Sequence, residues 1–456
     1  MKKTVISVKT MGLSLLCTLM ALLPLLSSCQ KDKTANVEDL LSTVPSSAGL
    51  VVGFNLGSML DKAGCKVENN AIIPGKEVQE IFSSSENASK ASRIINALLS
   101  GDTGIDPVGA LLFTDAYDTY LTAPLADTEK FCSFIEKETE LPFVEKEGNV
   151  RISGNVAISG AQMWVSLTPD PVDPKAVKNY ASLDKAQSFA SLSVASKIAT
   201  MTHDIVGYGQ INNIIGNRLS VSDNALFSLV AAFIFDSPSA LSFHLDFDKN
   251  EINAKALILN AKGDPAKCLL PIKKIDTAEV EKLATTANAA VAVSLPKDLI
   301  EKVSKMAEPL GANLLQVVTT SVKALDGTSA VVINSTDTYL RQLSAVVATN
   351  GNPPLDMMQI LATYGNTRKD GKLVYITRGE VTGSLEVAKI ADKFKGAAFA
   401  VAANADSGIG FAGEYGTDTT VITLSPESGS LALNFWANTV SGETNSLLVL
   451  LRSLSR

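Results

Sequence analysis

The sequence predicts an α+β fold of two tandem related units, with mainly antiparallel sheets and packed helices. Three observations lead there. Runs that alternate apolar and polar residues come in pairs joined by turn residues, which is the signature of β-hairpins. Helix-like segments are inserted among these runs instead of alternating with single strands, which separates α+β from a doubly wound sheet. Stretches of the first half also return, in the same order, in the second.

Composition sets the scale. Hydrophobic residues make up 46% of the 456 and charged residues 19%, so the chain has ample material for a core and is not a disordered one. The net charge is −7. Removing residues 1–28, with Lys2, Lys3 and Lys9, leaves 37 cations against 47 acids, or −10. An acidic chain without a basic run is a poor partner for nucleic acid, whose phosphates dominate affinity.

The elements follow in chain order. Lys2 and Lys3 precede an uncharged apolar stretch, Met11 to Leu26, too short and too interrupted by Pro24 to span a membrane comfortably. It reads as a secretory signal. Its end, Leu26-Ser27-Ser28-Cys29, resembles the lipobox of bacterial lipoproteins. The resemblance implies that the Cys29 thiol carries a diacylglycerol, that cleavage falls before it, and that the new N-terminus is acylated. Each buried methylene contributes about 0.8 kcal/mol and one short chain binds only marginally, so two or three chains make a lasting anchor. Gln30-Lys31-Asp32 partly resembles the charged export signal of Bacteroidota surface lipoproteins, and reads equally as a solvated tether.

Residues 37–269 form the first expected unit and 274–456 the second, after a tether at 29–36. The connector from Lys262 to Lys274 carries Gly and Pro punctuation. Three correspondences support the division. Val44–Leu60 matches Thr286–Ile300 as an apolar strand leading into a helix. Ile105–Leu121 matches Leu325–Leu340, with Asp106 against Asp326 and an identical Asp-Thr-Tyr-Leu at 118–121 and 337–340. Ser242–Gly263 matches Val421–Gly442 as strand, turn, strand, with turns at Asp248 to Asn250 and Pro426 to Gly429.

Helices are expected after Asp173-Pro174, an N-cap with proline at the first turn, and over Ser89–Leu99. Asn224–Phe235 reads as a buried apolar element. The C-terminal leucines read as a helix docking on the second unit. Pro45, Ala48 and Val51 behind a lipobox resemble the opening of uncharacterised Bacteroidota envelope lipoproteins built of tandem α+β units, and that resemblance implies no particular activity.

No catalytic residue, cofactor site or metal ligand is expected. His203 and His244 stand in no ligand spacing, although His203-Asp204 is a fragment of metal-phosphohydrolase patterns. Ser182-Leu183-Asp184-Lys185 and Ser222-Asp223-Asn224 fit two fragments of penicillin-recognising enzymes, but the third is missing; Lys369-Asp370-Gly371 is a poor substitute. Asp246 to Glu251 imitates a calcium loop without its glycine or its final Glu, since Glu251 and Leu257 hold those places. Sugar stacking has only Trp164 and Trp436 to draw on, and Tyr120 and Tyr339 recur as shared structural positions. Apart from Cys17 in the signal and Cys29, the cysteines Cys65, Cys132 and Cys268 allow at most one disulfide within the chain and read as small buried hydrophobes.

The sequence therefore predicts an envelope lipoprotein held to a membrane, the outer one by expectation, with its face open between periplasm and surface. It would act as a non-enzymatic binding or scaffold module for another envelope protein or an extracellular ligand. The alternative is a hydrolase of cell-wall or glycan material, using carboxylates or Ser182 and Lys185.

Overall fold

A computed structural model describes residues 37–68, 71–83, 103–106, 109–115, 118–168, 171–200, 202–211, 231–307, 321–335, 341–409, 417–439 and 445–454. Cys29, the expected helix over Ser89–Leu99, Ser222-Asp223-Asn224, Tyr339 and most of Asn224–Phe235 lie outside them.

The first half contributes β1 (Leu50–Phe54), β2 (Lys66–Glu68), β3 (Ala71–Ile73), β4 (Ala110–Asp115), β5 (Asp118–Pro124), β6 (Val144–Lys146), β7 (Val150–Ser153), β8 (Val156–Ser159), β9 (Gln162–Ser166), β10 (Ile205–Gln210), β11 (Pro238–Asp248) and β12 (Glu251–Asn260). The second contributes β13 (Thr286–Ala287), β14 (Ala289–Leu295), β15 (Gly327–Ile333), β16 (Leu343–Ala348), β17 (Asn366–Asp370), β18 (Leu373–Arg378), β19 (Leu385–Glu386), β20 (Phe399–Asn404), β21 (Thr417–Glu427) and β22 (Ser430–Thr439).

One antiparallel sheet runs β6-β7-β8-β9-β5-β4-β1-β10-β11-β12, then crosses to β22-β21-β20-β14-β15-β16-β18-β17. The architecture is α+β. The strand order repeats: β12-β11-β10-β1-β4-β5 is followed in kind by β22-β21-β20-β14-β15-β16. Asp106 and Asp326 also occupy like places, donating their backbone N–H groups to Pro124 and Ala348.

The second copy of the Asp-Thr-Tyr-Leu match, at 337–340, lies outside the described residues. Tyr120 lies opposite Phe113, whereas Ile333, which the sequence sets against Phe113, lies opposite Leu343. The tetrapeptide at 118–121 is on β5. Short identities in strands are set by local preference and do not fix register.

The hairpins form as expected. Asn250 at φ 63° and Ser428 and Gly429 at φ 49° and 81° make the turns, where the left-handed region favours Asn and Gly. Residues Glu251 and Ser430 start the return strands, so Lys255 on β12 is the counterpart of Asn434 on β22. The ladder pairs these two residues with each other. The seam between the halves is therefore a local two-fold axis.

Helices cover both faces of the first half. Leu56–Lys62, Lys76–Ser83 and Thr128–Thr139 lie against a core that holds Leu121, Met163, Phe247 and Ile252. Val37–Leu41, Pro174–Ala181 and Ala195–Ala199 lie against the other, with Phe113, Tyr120 and Trp164. Asp173 caps its helix as the sequence predicts, accepting the N–H of Lys175. In the second half, Val387–Phe394 buries Val387, Ile390 and Phe394 against β14 and β20.

The C-terminal helix Ser446–Leu454 is a correction. Its Leu447 and Leu448 enter the first half's core beside Met59 and Phe131, and Arg452 pairs with Glu77 at 3.2 Å. The reciprocal contact comes from the connector: Cys268 donates its backbone N–H to Gly429 at the turn of β21–β22. Each half thus sends its trailing segment onto the other. Cys65, Cys132 and Cys268 are all free thiols.

Candidate functional site

The middle of the sheet, where β10, β11, β12, β22 and β21 meet, differs from its flanks. Successive side chains of a strand alternate between faces, and directly paired residues share one. The row Val206, His244, Lys255, Asn434, Thr423 therefore lies on a single face. So does the row Asp246, Asn253, Trp436, Val421. A polar strip separates the two cores that lie on this face. Lys255 reaches Glu427 at 2.5 Å, Asn434 donates to Thr423 and Ser425, and Lys393 stands 3.9 Å over the Trp436 ring, a cation–π contact.

At one end of this strip the two histidines meet. His203 lies just before β10 and His244 on β11, and their rings stack 3.8 Å apart with 8° between planes. His203 Nδ1 is 2.7 Å from Asp246 Oδ2. Asp246 Oδ1 accepts the backbone N–H of Asp204 at 3.2 Å. Burial, reinforced by neighbouring His203, lowers the His244 pKa below the usual histidine value; Asp246 opposes this. A cavity of about 210 Å³ opens against both rings, with Thr202, Ser242 and Tyr208 in its wall. One nitrogen from each histidine and one Asp246 oxygen lie within 4.8 Å of one another, a donor set able to hold a metal ion.

Sequence spacing missed this group. The histidines are far apart along the chain and become neighbours only through the Val206–His244 register. Asp246 and His244 were separable as a signal: two positions apart on an alternating strand, they must share a face.

Beneath them, Asp204 is fully buried and fully engaged. Its carboxylate accepts Ser58 Oγ at 2.6 Å, Lys62 Nζ at 2.8 Å and the Phe247 N–H at 2.6 Å. Burial by itself would lower the Lys62 pKa, but the Asp204 hydrogen bond and the charges of Asp204, Asp248 and Asp246 outweigh it and the net shift is upward.

The other predicted candidates are placed as follows. Ser182 ends the helix Pro174–Ala181, and its Oγ donates to the Lys178 carbonyl at 2.8 Å; Lys185 is exposed on a 3₁₀ turn. That arrangement is a helix cap and not a nucleophile with its base. Lys369-Asp370-Gly371 is the exposed end of the β17–β18 hairpin. Asp248 to Glu251 is a hairpin turn. Trp164 is wholly buried, as is Tyr120, which forms a ring triangle with Phe113 and Tyr180, each pair 5.4 Å apart. Burial first, then Asp118 for Tyr120 and Asp115 for Tyr180, pushes both phenol pKa values up.

The fold and this site define an antiparallel α+β protein with a polar strip and an imidazole–carboxylate cluster on one sheet face. No family model matches the chain, and no curated protein matches it. Among solved structures it is similar to TP0453. Crystal form III aligns at 8% identity and a TM-score of 0.26, over 79% of this chain and 98% of that one. Form IV aligns at 12% and 0.28, over 48% and 79%.

Proposed function

We propose that the chain is a lipid-anchored envelope protein of the outer membrane, acting as a non-enzymatic binding or scaffold module. One observation carries the reading: the packed fold begins almost at the lipobox cysteine. Val37 is already buried in a core. Residues 29–36 are all that separates it from the acylated end, and a chain of that length spans at most roughly 26–29 Å. A body tied so closely to a membrane works on what lies at that surface. No described helix is long and apolar enough to cross a membrane, so the acyl chains alone provide the attachment in this reading. The broad sheet, joined across its seam, supplies a rigid surface for another envelope protein or an extracellular ligand.

The test has two parts. Wild type and Cys29→Ala are compared for precursor processing, radiolabelled palmitate incorporation and sedimentation with envelopes; unchanged behaviour of the variant defeats the anchor. Crosslinking pull-downs from membranes, repeated under several growth conditions, are then expected to return one recurrent partner. If they return none, the binding role fails even if the anchor stands.

A further inference from the structure

We infer that His203, His244 and Asp246 bind one divalent transition-metal ion of the zinc class. The donors are the right kind: zinc accepts imidazole nitrogen and carboxylate oxygen at about 2.0–2.2 Å, and three protein ligands leave a fourth position for water or a further ligand. They are also gathered, with the three ligand atoms within 4.8 Å of one another. The ion takes the place of the proton shared between His203 Nδ1 and Asp246 Oδ2. Metal–nitrogen and metal–oxygen bonds form, and a proton carried on Nδ1 of the neutral His203 ring passes through solvent to Nε2, so the imidazole keeps one N–H.

The surroundings fit an ion. Donors on a tetrahedron of zinc size stand roughly 3.3–3.5 Å apart, so the 2.7 Å His203–Asp246 pair opens slightly while the more distant donors close. Imidazole lone pairs lie in the ring plane, so His203 must turn out of its 8° stack with His244 to share an ion; it lies outside the strands and its side chain is 34% exposed, which leaves it room to do so, while His244 is held by ladders on both sides of β11 and Asp246 by its pairing with β12. The Asp204 N–H already orients Asp246 through its second oxygen, the outer bond that metal carboxylates commonly have. Charge favours a dication. Asp204, Asp246 and Asp248 gather around Lys62, while Lys255, opposite His244, is drawn off to Glu427. The 210 Å³ cavity beside the rings gives the ion a way in and space for its fourth ligand.

The full chain, without an affinity tag, is purified in detergent, stripped with chelator and titrated with zinc chloride by calorimetry in two buffers of different ionisation enthalpy. The expected result is one zinc per chain. His203→Ala and His244→Ala are each expected to weaken binding at least ~100-fold, and Asp246→Asn about 10–100-fold. Cobalt(II) should give tetrahedral visible bands that vanish in the histidine variants. The inference is overturned if wild type takes up no zinc at about 100 μM, if the double histidine variant binds as tightly as wild type, or if Cys268→Ser abolishes binding instead. Should a histidine variant fail to fold, the wild type still decides: zinc must protect both histidines from diethylpyrocarbonate, and lack of protection refutes the site. None of these results depends on the anchor at Cys29.

Discussion

Replacing Asp204 should cost the first half more stability than replacing any other carboxylate described in it. The side chain has no exposure and serves three donors, Ser58 Oγ, Lys62 Nζ and the Phe247 N–H. In Asp204→Ala the donors fare differently. Lys62 is 26% exposed and can turn to water, which limits its loss. The Phe247 N–H lies in the sheet interior and cannot, and an orphaned buried donor costs about 1–3 kcal/mol. Breaking a buried ion pair from one side costs about 3–5 kcal/mol when the other partner is trapped. With Lys62 partly free, the total falls at about 3–4 kcal/mol. Asp204→Asn keeps the shape and an acceptor and should cost about 2 kcal/mol. Urea midpoints measure both, and hydrogen exchange of the Phe247 amide localises the effect. A loss below about 1 kcal/mol for Asp204→Ala, with Phe247 still protected, would refute the reasoning.

Other outcomes follow from the same geometry. Gly207 lies opposite Phe243, whose ring carbons would stand 2.0–2.6 Å from an added Cβ, so Gly207→Ala should displace the ring and cost about 1–3 kcal/mol by urea denaturation. Leu447→Ala removes a buried side chain from the first half's core and should lower stability by about 2–5 kcal/mol; residues 37–269 alone should show the same defect, relieved by fusing on Asn445–Leu454. The Lys62 pKa is raised in the fold, so its contribution is present below the ordinary value of 10.5 and is lost as pH climbs through the raised one. The midpoint difference between wild type and Lys62→Met should therefore shrink only in strong alkali; a difference already gone at neutral pH would contradict the pairing. Tyr180→Phe removes the 2.8 Å hydrogen bond to Asp115 and should cost about 0.5–1.5 kcal/mol, read the same way.

Local chemistry was legible in the sequence where a few adjacent residues decide the outcome. Asp173-Pro174 starts a helix because a carboxylate cap and a preset φ need no distant partner. The turns at Asn250 and Ser428-Gly429 follow from the same kind of local rule. What could not be read was which surfaces meet. The leucines of Ser446–Leu454 show an apolar face, but nothing in such a face says which half of the molecule it will cover. His203 and His244 carry no joint signal along the chain, because their contact depends on how β10 and β11 register across an intervening segment.

The seam at Lys255 and Asn434 has a consequence for how this molecule holds together in use. A strand facing its own counterpart across a dyad is the contact two separate copies make when they form a symmetric dimer. Here both partners sit on one polypeptide, so the association no longer depends on how many molecules are present. Dilution cannot pull the halves apart, and at the seam β12 and β22 cover each other's edges.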